Sequence, residues 1–360
     1  MKIGIFTFHC AHNFGAVLQA YALQTYLRNQ GHESYIIDYR PNYLVRGYRK
    51  FSIYNWVSKN PINWFRKVVT EPFLIKDRFT KWNKFNDFIS KSLNLYPFEK
   101  INNDKKFDLF LFGSDQIWNS KLMGGEWDAV YFGKGLGSKC CSYAASMGWD
   151  NVDEDRINIF KSLMAHLSAI SVREETLCKS LNLISDQTIH WVCDPVFLLS
   201  MEDWAAKVHP IKNIKPYVLC FNLLHSEECM KQAQIVSYNL GYELIEITGD
   251  VHHLRGNYKV LQDIGPIDFI SYIASASFVV TSSFHGTAFS IIFKKSFYSI
   301  GMGDKSGRVS SLLSIVELEH RLLNKAIDNV ETMSPLDFPQ EGLIRYVENS
   351  KSFLIEQCLN

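Results

Sequence analysis

Apolar runs and polar breaks alternate along the chain with the rhythm of parallel α/β structure. Residues 2–8 (KIGIFTF) read as a buried strand and residues 9–15 (HCAHNFG) as a polar turn. From 16 to 29, Val17, Leu18, Tyr21, Ala22 and Tyr26 or Leu27 share one helical face, and Gly31 stops the helix. Residues 34–39 (SYIIDY) read as a second strand, so the chain opens with a βαβ unit and a parallel sheet.

The rhythm breaks over 41–106 and resumes with a strand at 107–112. The polar turn Gly113-Ser114-Asp115-Gln116-Ile117-Trp118-Asn119 follows. A strand at 139–146, a helix at about 153–166 and a short strand at 169–171 come next. Arg173-Glu174-Glu175 opens another helix, and Val192-Cys193-Asp194-Pro195 ends a strand. The polar stretch 200–216, with Pro210 and Pro216, marks a domain boundary. The second half repeats the scheme. It has strands at 217–223, 243–247, 277–281 and 297–300 and helices at 226–240, 268–276 and 287–293. Closing helices are expected near 307–326 and 341–357. The expected architecture is α/β, with two Rossmann-like domains facing a cleft. Residues 1–205 form the first, expected to be the acceptor side, with a helical aromatic and basic insertion at 41–106. Residues 206–360 form the second, whose last helices pack back on the first.

Composition changes this picture in one place. The chain has 360 residues, 47% apolar and 21% charged, which excludes a disordered, collagen-like or coiled-coil chain. A net charge of +1 gives no global pull toward nucleic acid. Segment 41–106, however, carries 14 Lys and Arg against 5 Asp and Glu, and 14 aromatic residues, among them Trp56, Trp64, Phe65, Trp82, Phe85 and Phe88. Such a lobe suits peripheral contact with anionic lipid headgroups at the inner membrane surface or with a pyrophosphate-linked glycan. The plainer reading is a helical cap that packs its aromatic rings on the sheet. No signal peptide and no transmembrane run are apparent, and eight cysteines without a CxxC pair fit reduced thiols, so the expected location is cytoplasmic.

Four polar turns, 9–15, 113–119, 171–175 and 281–287, stand at the carboxyl ends of strands, where open parallel sheets bind ligands. Asn13 and Gly15 lead into a helix whose start favours an anion; a helix cap alone is the equal alternative for Asn13. Ser283, His285, Gly286 and Thr287 occupy the richest turn, and His285 stands at a helix start beside the cleft. Arg173 offers a planar fork for carboxylate or phosphate. Asp115 and Asp194 are placed to orient a sugar hydroxyl or a catalytic histidine, or to cap the next helix. No nucleotide fingerprint is present. Adjacent His252 and His253 lack metal-ligand spacing, so no metal is expected.

These residues bring a family into view. The chain resembles the polysaccharide pyruvyl transferases in Lys2-Ile3-Gly4-Ile5, in Asn13-Phe14-Gly15-Ala16-Val17-Leu18-Gln19-Ala20-Tyr21-Ala22-Leu23 and in Ile37-Asp38-Tyr39. The likeness continues in Gly113 to Asn119, Tyr143-Ala144-Ala145-Ser146-Met147-Gly148, Ser171-Val172-Arg173-Glu174, Asp194-Pro195-Val196 and Ser283 to Ser290. The resemblance implies a fold like the GT-B glycosyltransferases. It also implies transfer of the enolpyruvyl group of phosphoenolpyruvate onto two hydroxyls of a sugar in a surface polysaccharide or its precursor. The products are a pyruvate ketal and phosphate. Phosphoenolpyruvate is then a donor substrate, no cofactor is needed, and the acceptor is a sugar or lipid-linked oligosaccharide. His285 matches the histidine of the family's Arg-x-His-Gly type motif and is the expected acid/base. Arg173 matches the arginine of its Ser-Val-Arg type motif and is the expected donor clamp, with Asn13, Gly15 and Asp115 on the acceptor wall. Ser283 stands where many members carry arginine, which removes one anion ligand; Arg308 is the candidate replacement. The competing readings are a nucleotide-sugar-dependent glycosyltransferase of the same shape and a non-catalytic carbohydrate- or anion-binding protein.

Overall fold

The computed structural model describes residues 1–48, 61–103, 107–211, 215–223, 225–252, 258–301, 307–325 and 329–360, without the side chains of 61–71, 73, 102, 103 and 336. In chain order the first half runs β1 (Lys2–Phe6), α1 (Phe14–Asn29), β2 (Glu33–Asp38), α2 (Asn42–Val45), α3 (Pro61–Ser92), β3 (Leu95–Pro97) and β4 (Leu109–Phe112). It continues with β5 (Lys139–Ser142), α4 (Ile157–Met164), β6 (Ile170–Val172), α5 (Glu175–Ile184) and β7 (Ile189–Trp191). The second half runs α6 (Met201–Ala205), β8 (Tyr217–Asn222), α7 (Glu227–Leu240), β9 (Glu243–Thr248), β10 (Lys259–Leu261), α8 (Pro266–Ser275) and β11 (Phe278–Thr281). It closes with α9 (Phe284–Ile292), β12 (Phe297–Ile300), α10 (Gly307–Ile315), β13 (Leu322–Leu323) and α11 (Glu341–Phe353).

The first sheet has the order β3-β2-β1-β4-β5, all parallel. The parallel pair β6-β7 continues it through bridges Cys141–Ala169 and Ala145–Val172. The second sheet has the order β10-β9-β8-β11-β12-β13, also parallel. Strands β4, β8 and β11 are buried at every position, as parallel strands covered on both faces must be. The architecture is thus α/β with two Rossmann-like sheets facing a cleft. In each sheet the strand order reverses once, between β1 and β4 and between β8 and β11. Ligands of such sheets bind beyond the carboxyl ends at that reversal. The turns after β1, β4 and β11 are three of the four turns marked by sequence.

Several elements differ from the sequence reading. Segment 41–106 is not purely helical: β3 extends the first sheet beside β2. Within its helix, Phe85 and Phe88 are buried and pack toward α1, as a cap would. Trp56 and the side chains of Trp64 and Phe65 lie outside the described residues. The expected helix over 307–326 ends at Ile315, and Leu322–Leu323 instead pairs with β12. Helix α1 is buried on nearly every side rather than on one stripe. It is held between the first sheet and the second half, where Phe14 stacks on Phe269 with ring centroids 4.7 Å apart. Helix α11 crosses to the first half. Ser350 Oγ accepts the Cys193 backbone N–H at 2.8 Å, and Tyr346 OH donates to Val192 O at 2.8 Å. All eight cysteines are free and buried. No described helix is long and apolar enough to cross a membrane.

Candidate active site

A cavity of about 420 Å³ lies between the two points of strand reversal. The first half contributes Phe8, Ala11, Asn13, Gly15, Asp115 and Gln116 to its wall, and the second half contributes Ser282, Ser283, His285 and Arg308. Tyr43 and Tyr48, from the aromatic segment, line it as well.

Two helix starts meet here. Asn13 caps α1, its Oδ1 accepting from Gly15 N at 3.0 Å and Ala16 N at 3.3 Å, so capping and a place on the wall coexist in one residue. Opposite, α9 begins at Phe284, three residues earlier than the sequence reading placed it. Ser283 is extended and Thr287 N closes the first turn on Ser283 O at 3.0 Å. His285 therefore belongs to the first helical turn, among the backbone N–H groups that have no intrahelical acceptor. Its ring lies against the start of α1: a β-carbon on Gly15 would stand 2.0 Å from His285 Nδ1. Both helix dipoles favour negative charge at this point.

Behind the ring stands a buried ionic chain. Asp194 is fully enclosed; its Oδ1 accepts from Val196 N at 3.1 Å, capping the turn after β7. Its Oδ2 accepts from Arg173 Nη1 at 2.8 Å and lies 3.5 Å from His285 Nε2, close enough to pair charges yet poorly aligned for a hydrogen bond. Burial opposes ionisation of Asp194, but His285 and Arg173 overcome it and hold the carboxyl well below the usual range. Arg173 is only 4% exposed. Burial disfavours its charge, and Asp194, Glu174 and Asp115 outweigh that and push its pKa up. Its guanidinium carbon lies 5.3 Å from the centre of the Phe284 ring. Glu174 Oε1 accepts from Ser146 Oγ at 2.5 Å and lies 3.8 Å from Arg173 Nε and 3.9 Å from Arg308 Nε. Burial, with Arg173 next, lowers the pKa of Arg308. Arg173 Nε and Nη2, Glu174 Oε2, His285 Nε2 and Ser282 Oγ are buried without a hydrogen-bond partner among the described residues. Such groups are costly unless a ligand or ordered solvent satisfies them.

Of the residues marked by sequence, Asn13, Gly15, Asp115, Ser283, His285 and Arg308 share this cavity. Arg173 lies behind its wall. Gly286 and Thr287 also lie behind it: a β-carbon on Gly286 would meet Thr281 Oγ1 at 2.2 Å, and Thr287 Oγ1 bonds Ser299 Oγ at 2.7 Å. Sequence reasoning missed Tyr43 and Tyr48; Gln116 and Ser282 stand in turns it marked, without being given a role there. The two tyrosines belong to the aromatic excess of 41–106, so the signal was present without an address. Tyr48 is pushed up to about 12, first by burial and then by Asp115, and stays neutral. His12, on the turn after β1, stacks on Phe85 at 5.1 Å and is lowered to about 4 by burial and then Lys81, so it is an uncharged packing group.

The fold is similar to several solved structures at low identity. They include S. aureus MnaA with UDP (9% identity, 98% of this chain and 88% of that one, TM-score 0.46). A putative UDP-N-acetylglucosamine 2-epimerase from Listeria monocytogenes is similar too (10%, 98% and 88%, TM-score 0.46). So is the spinosyn forosaminyltransferase SpnP (12%, 99% and 95%, TM-score 0.40). No curated protein sequence matches the chain. The pattern of the polysaccharide pyruvyl transferases matches residues 13–304. That span runs from the cap of α1, across both strand reversals and through His285, nearly to the start of α10; the chain belongs to the polysaccharide pyruvyl transferase family, and it is a transferase enzyme.

Proposed function

We propose that the enzyme transfers the enolpyruvyl carbons of phosphoenolpyruvate onto two hydroxyls of a sugar in a surface polysaccharide or its precursor. In this step the central carbon forms bonds to two sugar oxygens and its bond to the phosphate oxygen breaks. One hydroxyl proton ends on the methylene carbon, which becomes a methyl group, and the other leaves with phosphate. The donor needs cationic and N–H partners for a carboxylate and a phosphate, and the acceptor needs polar and aromatic surface. The observation that carries the reading is the position of His285. It stands between two helix starts, backed by buried Asp194, on a cavity wall shared with Arg308.

In this reading His285 moves the proton to the methylene carbon, and Asp194 holds the ring and offsets its charge. Arg308, on the wall, meets the donor anion and takes the part of the arginine that Ser283 replaces. Arg173, whose Nη1 is committed to Asp194, acts as a positioning residue rather than as the clamp itself. Asp115, Gln116, Tyr43 and Tyr48 form the acceptor side.

A thermal melt series tests the donor. Ligand that binds the folded state alone at a hundred times its Kd stabilises by about 2.7 kcal/mol. Phosphoenolpyruvate should raise Tm in a saturable manner with no nucleotide sugar present. A shift with a nucleotide sugar and none with phosphoenolpyruvate would replace this reading with a glycosyltransferase.

A further inference from the structure

Beside the reversal in the second sheet, two neighbouring strands bring three ligand-capable side chains together. His225 follows β8, and Asp250 and His252 follow its parallel neighbour β9. One potential ligand atom from each lies within 4.8 Å of the others. His225 Nε2 is 2.8 Å and His252 Nδ1 is 3.7 Å from the same oxygen, Asp250 Oδ1. The imidazole centroids are 4.4 Å apart and the rings nearly perpendicular, at 77°. His225 comes from 25 residues before Asp250, which is why the adjacent pair His252-His253 gave no sign of the cluster. His253 itself lies outside the described residues.

The stems of these side chains are fixed. Asn222 Nδ2 donates to Ser226 O at 3.0 Å and Asn222 Oδ1 accepts from Ser226 N at 2.8 Å, which clasps the turn that carries His225. On the other side, Thr248 Oγ1 donates to Asp250 O at 2.7 Å and His252 N donates to Gln262 Oε1 at 3.1 Å. Lys81 Nζ, from α3, donates to Thr248 O at 3.2 Å and Gly249 O at 2.7 Å. A pre-organised ligand set loses less ordering entropy when an ion binds.

We propose that His225, Asp250 and His252 bind a divalent transition-metal ion of the zinc class. Two imidazoles and one carboxylate are a donor set for zinc, cobalt or nickel rather than magnesium or calcium, which prefer oxygen alone. Bond lengths of about 2.0–2.2 Å around a tetrahedral ion put its ligand atoms roughly 3.3–3.6 Å apart. The separations of 2.8 and 3.7 Å bracket that range. Three protein ligands leave the remaining position to water or an oxygen anion. Leu223, two residues before His225, lines the main cavity, so the site borders the cleft.

The test titrates the full chain with cobalt(II) and reads the visible absorption of the bound ion, with zinc(II) as competitor in calorimetry. The wild type should take up one equivalent that zinc displaces. Loss of supporting groups around a metal costs about 10–100-fold in affinity, so His225→Ala and Asp250→Asn should lose at least that much. His225 and Asp250 are exposed, so the variants should keep the wild-type Tm without metal, which separates lost binding from lost folding. The proposal is overturned if the wild type shows no saturable equivalent, or if His225→Ala and Asp250→Asn bind as the wild type does. No turnover is measured, so the result stands apart from the transferase reading.

Discussion

Asp194 sits where a single carboxylate serves three neighbours: the backbone of Val196, the guanidinium of Arg173 and the ring of His285. Replacing it with asparagine leaves Arg173 buried without its closest counter-charge, which costs about 3–5 kcal/mol. The pH dependence has a definite sign. The folded carboxyl lies below its unfolded value of about 3.9, so its contribution is complete above that pH and declines as pH falls toward the folded value. Asp194→Asn should therefore melt lower at pH 7 and show a flatter Tm profile than the wild type below about pH 4. Parallel profiles in that range would contradict the pairing. At this scale the sequence was informative about His285, Asn13 and Asp115, because strand-end turns announce themselves by their polar residues. It marked Arg173 in the same way but not the pairing with Asp194, which follows 21 residues later with no local pattern to join them.

Among the elements, α11 is the link whose loss would be felt first at the site. It approaches the first half beside Asp194, where Ser350 Oγ receives the N–H of Cys193, the residue next to Asp194. Ser350→Ala leaves that buried N–H without an acceptor, at a cost of about 1–3 kcal/mol. Chemical denaturation should show this as a lower midpoint with an unchanged slope; an unchanged midpoint would mean that α11 does not anchor the turn. The two parallel sheets were legible because buried parallel strands are continuous apolar runs such as Leu109–Phe112; the order of strands within each sheet was not, since no local pattern records it. Three of the shortest strands were missed: Leu95–Pro97, Lys259–Leu261 and Leu322–Leu323 are too brief for periodicity, and pairing with a neighbour alone makes them strands. The one-sided reading of α1 failed for a related reason, since contact with the second half buries the face that a single sheet would leave wet.

For the whole molecule, the cleft between the two sheets gathers charged groups that the net charge of the chain conceals. Helix starts from both halves, Arg308 and Asp115 face one cavity, and Asp194 and Glu174 stay behind its wall. The basic aromatic segment contributes Tyr43 and Tyr48 to that cavity and Phe85 and Phe88 to packing against α1. The aromatic excess thus serves both the cavity wall and the packing around it. The most direct test of the transferase reading is phosphate release from phosphoenolpyruvate in the presence of lipid-linked or nucleotide-linked sugars, with mass spectrometry of the sugar product. The account predicts stoichiometric phosphate and an acid-labile pyruvate ketal, with turnover reduced about 10²–10⁴-fold in His285→Ala. Ketal formation at the wild-type rate by His285→Ala would contradict it.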